Sequence, residues 1–83
     1  MQTGQVTITT AATLIADTGT TYREIHIHGE SGAFYIGQSN VTTSTGFKLD
    51  NNQKVVMTLT PTDKLYGITT TGTSICGYLI NNR

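Results

Sequence analysis

Glu24, His26, His28 and Glu30 occupy alternate positions of Glu24-Ile25-His26-Ile27-His28-Gly29-Glu30, the densest group of potential ligands in the chain. Residues two apart on an extended strand point to the same side. All four polar side chains therefore share one face, and Ile25 and Ile27 take the other. The two imidazoles then stand about 6.6–7 Å apart along that face, so both can bind one ion only if their side chains converge on it. Two histidines are half of the usual four-ligand set for a bound zinc. With this strand on a threefold axis, six imidazoles would surround one ion. The alternative is a wet outer or interface strand whose polar side carries His26 and His28 beside two carboxylates, where such pairs are weak.

Other reactive side chains are sparse. Cys76 lies in the apolar run Ile75-Cys76-Gly77-Tyr78, where a free thiol acts as a small buried hydrophobe. Asp50, Asp63 and Glu30 fall in turn-like stretches, where carboxylates cap backbone amides. No phosphate loop, nucleophile elbow or zinc-hydrolase motif is present. No catalytic residue and no cofactor is assigned, and a non-enzymatic protein is expected.

The six aromatics, Tyr22, Phe34, Tyr35, Phe47, Tyr66 and Tyr78, are candidates for an interface. Adjacent pairs such as Phe34-Tyr35, Leu65-Tyr66 and Tyr78-Leu79 face opposite ways on a strand, so only one of each can be core. Apolar residues on both parities mean that both sheet faces are covered. Tyrosine suits a surface that is apolar at one end and wet at the other. Contact with other subunits and a sugar-stacking platform both fit.

The elements that must position these residues are strands. Thr, Ile and Val supply 30 of the 83 residues, 18 of them Thr, and such β-branched side chains sit well on a pleated sheet. Short alternating runs are separated by Gly, Asn, Asp and Ser clusters every eight to twelve residues. The spacing predicts one domain over residues 1–83, an all-β antiparallel sandwich or jelly roll of about seven or eight short strands with no significant helix. Gly29-Glu30-Ser31-Gly32 reads as a tight connection that makes 22–28 and 33–37 a hairpin. The expected core is Ile8, Leu14, Ile25, Ile27, Ile36, Val55, Met57, Leu59, Ile68, Ile75 and Leu79.

Charge narrows the partners. Five basic and five acidic residues give zero net charge, so the chain has no basic footprint for nucleic acid. No apolar run approaches the roughly 20 residues of a membrane helix. Met1–Gln5 lacks the basic and apolar pattern of a signal peptide, and a mature chain is expected. One cysteine cannot form an internal disulfide, and a domain this small without staples is expected to associate with copies of itself.

The stretch Tyr35-Ile36-Gly37-Gln38-Ser39-Asn40-Val41-Thr42-Thr43-Ser44-Thr45-Gly46-Phe47-Lys48-Leu49 resembles a segment of small virion proteins of tailed bacteriophages. Leu65-Tyr66-Gly67-Ile68 with Gly72-Thr73 is similar to that group's closing segment, and Val6-Thr7-Ile8 and the 23–27 strand fit as well. The pattern has a polar amide where this chain carries His28-Gly29. The resemblance implies capsid decoration or cement, or a head-fibre component, acting as a homotrimer against the major capsid protein or another virion protein. It also implies location in the virion after assembly in the host cytoplasm. The alternative is a tail- or fibre-associated module that binds a host-surface glycan.

Overall fold

A computed structural model describes residues 2–17, 23–61 and 63–82. The described residues form eight strands and no helix: β1 (Gln2–Ile8), β2 (Thr13–Asp17), β3 (Arg23–Ser31), β4 (Phe34–Gly37), β5 (Phe47–Leu49), β6 (Lys54–Leu59), β7 (Lys64–Ile68) and β8 (Ser74–Asn82). They pair antiparallel in two four-stranded sheets, ordered β1-β8-β3-β6 and β2-β7-β4-β5.

The pairings β1 with β8, β2 with β7, β3 with β6 and β4 with β5 describe one long two-stranded ribbon. Strands β1 to β4 run out, β5 to β8 run back, and the 38–46 connection closes the far end. Folding that ribbon over itself sets β8 beside β3 and β7 beside β4. The result is the eight-stranded jelly roll, in which both sheets bury one face against the other.

The expected hairpin of 22–28 with 33–37 is corrected: β3 continues through Gly29–Ser31 in the first sheet and β4 lies in the second, so Gly32 and Ala33 turn the chain between sheets. Two contacts hold this corner. The Ser74 hydroxyl, buried, donates to the Ala33 carbonyl at 2.8 Å. The 50–53 turn docks on β3: Gly29 N–H donates to Gln53 O at 2.9 Å, and Asn52 N–H donates to Gly29 O at 2.9 Å. A Cβ at position 29 would sit 2.6 Å from the Asp50 carbonyl oxygen, so the close approach of two backbones requires glycine there. Asn52, at φ 65°, takes the left-handed position of the turn, which Asn tolerates.

The core is Ile8, Ile15, Ala16, Ile25, Ile27, Phe34, Ile36, Leu49, Leu59, Leu65, Cys76 and Ile80, with Val6, Val55, Met57 and Tyr78 packed against it. The core expectations hold for Ile8, Ile25, Ile27, Ile36 and Leu59, and Val55 and Met57 line its border. Four others are corrected. Leu14 is 45% exposed, because an irregularity between Leu14 and Ala16 turns both Ile15 and Ala16 inward. Ile68, Ile75 and Leu79 are half-buried and belong to the opposite parity from Leu65, Cys76 and Ile80. In β8 both parities are apolar, and the pairing of Cys76, Tyr78 and Ile80 with Gly29, Ile27 and Ile25 decides which faces in.

This assignment predicts opposite responses from two large apolar residues. Phe34→Ala should lower the unfolding free energy by about 3–5 kcal/mol, while Leu14→Thr should change it by no more than about 0.5 kcal/mol. Urea titration of both variants checks this; a large loss from Leu14→Thr would contradict the outward placement.

Candidate interaction surfaces

Strand β3 alternates as expected, with Ile25 and Ile27 fully buried and His26 and His28 on the outer face of the first sheet. Cross-strand register puts His26 between Leu79 of β8 and Val56 of β6, and His28 between Gly77 and Lys54. Each ring contacts a carboxylate two residues away on its own strand: His26 Nε2 lies 3.2 Å from Glu24 Oε1, and His28 Nδ1 lies 2.7 Å from Glu30 Oε1. About a third of each His26 and Glu24 side chain is solvent-exposed, and rather more of His28 and Glu30. The four groups thus share one half-wet face, as their spacing predicts.

Gly77 makes room for this arrangement. Missing a side chain in the middle of β8, it leaves a depression of about 290 Å³ bordered by Gln5, His28, Glu30, Lys54 and Leu79. The Glu30 carboxylate fills part of it: a Cβ at 77 would come within 2.7 Å of Glu30 Oε1. Among the described residues no group of three or more His, Cys, Asp or Glu is placed to hold a metal ion within one chain.

The outer face of the second sheet differs in kind. Tyr35 of β4 and Tyr66 of β7 both point outward there, with Ile68 across from Tyr35 and Leu14 across from Tyr66. Beside Tyr66, Gln38, Ser39, Asp63 and Lys64 border a polar depression of about 330 Å³. Phe47 is 60% exposed at the end of the short edge strand β5. There it borders an apolar cleft of about 350 Å³ with Ile36, Val55, Met57 and Leu65, where the sandwich opens between β5 and β6.

The six aromatic candidates therefore separate. Tyr35 and Tyr66 come together on one outer face, and Phe47 stands at an edge. Phe34 is corrected from interface to core, fully buried opposite Leu49. Tyr78 is half-buried and packs inward over Gly4 against the core. Tyr22 lies outside the described residues. Sequence reasoning missed Leu14 and Val56, 45% and 49% exposed, as surface apolar residues. The signal for Val56 was its position between Val55 and Met57, which alternation assigns to the inside.

Cys76 is fully buried, and its thiol pKa is pushed up from 9.0 to about 12, first by burial and then by the nearby Glu30 charge. At neutral pH it is a protonated, inert thiol. No protein-family model matches the chain, and no curated protein and no solved structure matches it.

The raised thiol pKa carries a sign. The folded chain keeps this proton above pH 9, where the unfolded chain releases it, so Cys76 contributes stability below about 9 that is lost as pH climbs toward 12. The steepest part of the loss should approach about 1.4 kcal/mol per pH unit. Comparing the pH dependence of unfolding with that of Cys76→Ala isolates it from lysine and tyrosine titration, and identical profiles would contradict the burial. Native protein should also resist thiol labelling at pH 8 until denaturant is added.

Proposed function

We propose that this chain is a non-enzymatic structural protein of a bacteriophage virion, decorating or cementing the capsid as a homo-oligomer, with a trimer the expected form. The observation that carries this reading is the outer face of the second sheet, where Tyr35, Tyr66, Leu14 and Ile68 gather on a domain of only 83 residues. Solvent does not favour such a face, and clusters of tyrosine with aliphatic residues are what protein interfaces use as anchors. The resemblance of the 35–49 segment to virion proteins supports the same assignment.

The jelly roll is an architecture of capsid and lectin domains alike, so the surfaces must separate the two. For a cement protein, the tyrosine face buries against a sister chain, the major capsid protein or another virion protein. A second reading has one observation in its favour. The polar depression beside Tyr66, with Gln38, Ser39, Asp63 and Lys64, has the stacking ring and hydrogen-bonding rim of a glycan site on a tail or fibre.

Immunogold labelling of virions with antibody against the chain tests the proposal. Label on the heads supports it. Label on tails or fibres favours the glycan module, and label absent from particles removes both. The double variant Tyr35→Ser/Tyr66→Ser should keep the melting temperature of the isolated domain but weaken its association by roughly thirtyfold or more, as expected when an anchor contributing about 2 kcal/mol is lost. Sedimentation equilibrium reads this directly, and an unchanged assembly constant would place the interface elsewhere.

A further inference from the structure

The outer face of β3 is more ordered than a solvated strand requires. A carboxylate only accepts hydrogen bonds, so the ring nitrogen facing each one must carry the proton. His28 Nδ1–H donates to Glu30 Oε1 at 2.7 Å, and His26 Nε2–H donates to Glu24 Oε1 at 3.2 Å. In the neutral rings the lone pair is then on the opposite nitrogen, Nε2 of His28 and Nδ1 of His26. Metal-ligating imidazoles are held in this way: a carboxylate fixes the tautomer and raises the basicity of the coordinating nitrogen.

We propose that His26 and His28 form half of a divalent transition-metal site, and that a second copy of this chain, packed face to face across β3, supplies the other two imidazoles. Nitrogen ligands of this type select zinc and its neighbours, copper and nickel, over calcium or magnesium. Zinc takes four ligands at about 2.0–2.1 Å, and one chain presents two.

Two features identify a second copy as the partner. The first is symmetry: Glu24, His26, His28 and Glu30 read the same in both directions about Ile27. An antiparallel copy of the strand therefore sets His26 against the partner's His28 and His28 against the partner's His26, with carboxylates flanking both sides. The second is charge. With neutral imidazoles this face carries Glu24 and Glu30 against Lys54, the one lysine that the register places on it among the described residues. Two such faces are both net negative and repel, and a divalent cation between them removes the repulsion. Lys54, exposed and directly across from His28, opposes the cation and must turn outward when it binds.

The site does not depend on the virion role. Equilibrium dialysis of the full chain against Zn²⁺, with sedimentation velocity before and after EDTA, tests it. One zinc per two chains is expected, with a doubling of the assembly mass that EDTA reverses. His26→Gln/His28→Gln should abolish both effects while leaving the EDTA-treated melting temperature unchanged. Glu30→Gln, which keeps both ligands, should weaken zinc binding about 10–100-fold, and Lys54→Gln should tighten it. Zinc binding that survives the double variant would overturn the proposal. So would one zinc per chain without a change in mass, one zinc per three chains, or an unaltered affinity in Glu30→Gln.

Discussion

The antiparallel pairing of β3 with β8 is the constraint on which the rest of this fold depends. It ties residues 23–31 to residues 75–82, joining the outgoing half of the ribbon to the returning half. Ile25 opposite Ile80 and Ile27 opposite Tyr78 then face the core, and His26 opposite Leu79 and His28 opposite Gly77 face out. Because strand side chains alternate with a period of two, a slip of one residue would exchange these sets, burying both imidazoles and exposing both isoleucines. The cost of burying unpaired polar rings excludes that alternative. The register is therefore held by the core on one side and by the histidines on the other.

The same pairing separates what could be read along the chain from what could not. Strand existence is local: Lys54–Leu59 alternates cleanly with Leu59 inward, and Tyr22–His28 places its isoleucines and histidines correctly. The phase of Ile75–Ile80 is not local, since each parity there offers apolar side chains and only contact with β3 distinguishes them. Connections are harder still. Gly29–Gly32 has the composition of a hairpin turn, yet β3 runs on through Ser31 and pairs with β6 and β8, while β4 pairs with β5 and β7. Among candidate functional groups, the shared face of Glu24, His26, His28 and Glu30 follows from spacing alone. The carboxylate bonded to each ring does not, and neither does the inward turn of Tyr78 over Gly4.

The two outer faces divide the molecule by chemistry. One carries imidazoles, carboxylates and Lys54 around the gap left by Gly77; the other carries Tyr35, Tyr66, Leu14 and Ile68. The whole globule measures 34 × 24 × 16 Å, so these faces are little more than one sandwich thickness apart. A domain built this way presents two surfaces of different chemistry, one of apolar area and the other of charge. Salt screens the field of the second and leaves the first largely unaffected.

The ribbon topology also sets an order on synthesis. Of the eight described strands, β1 is made before the others and β8 after them, and the ladder joins the two, with Gln2 opposite Ile80. At the usual 5–20 residues per second, about 72 residues and roughly 4–14 seconds separate the emergence of one from that of the other. Until then Val6 and Ile8 have no sheet to join, while β4 and β5, close in sequence at the turn of the ribbon, can pair early. Assembly should therefore begin at the closed end of the ribbon and zip toward β1 and β8, which pair last. Such a non-local order makes folding slow for the chain's length and leaves its newest copies open to pairing with one another where they are translated side by side.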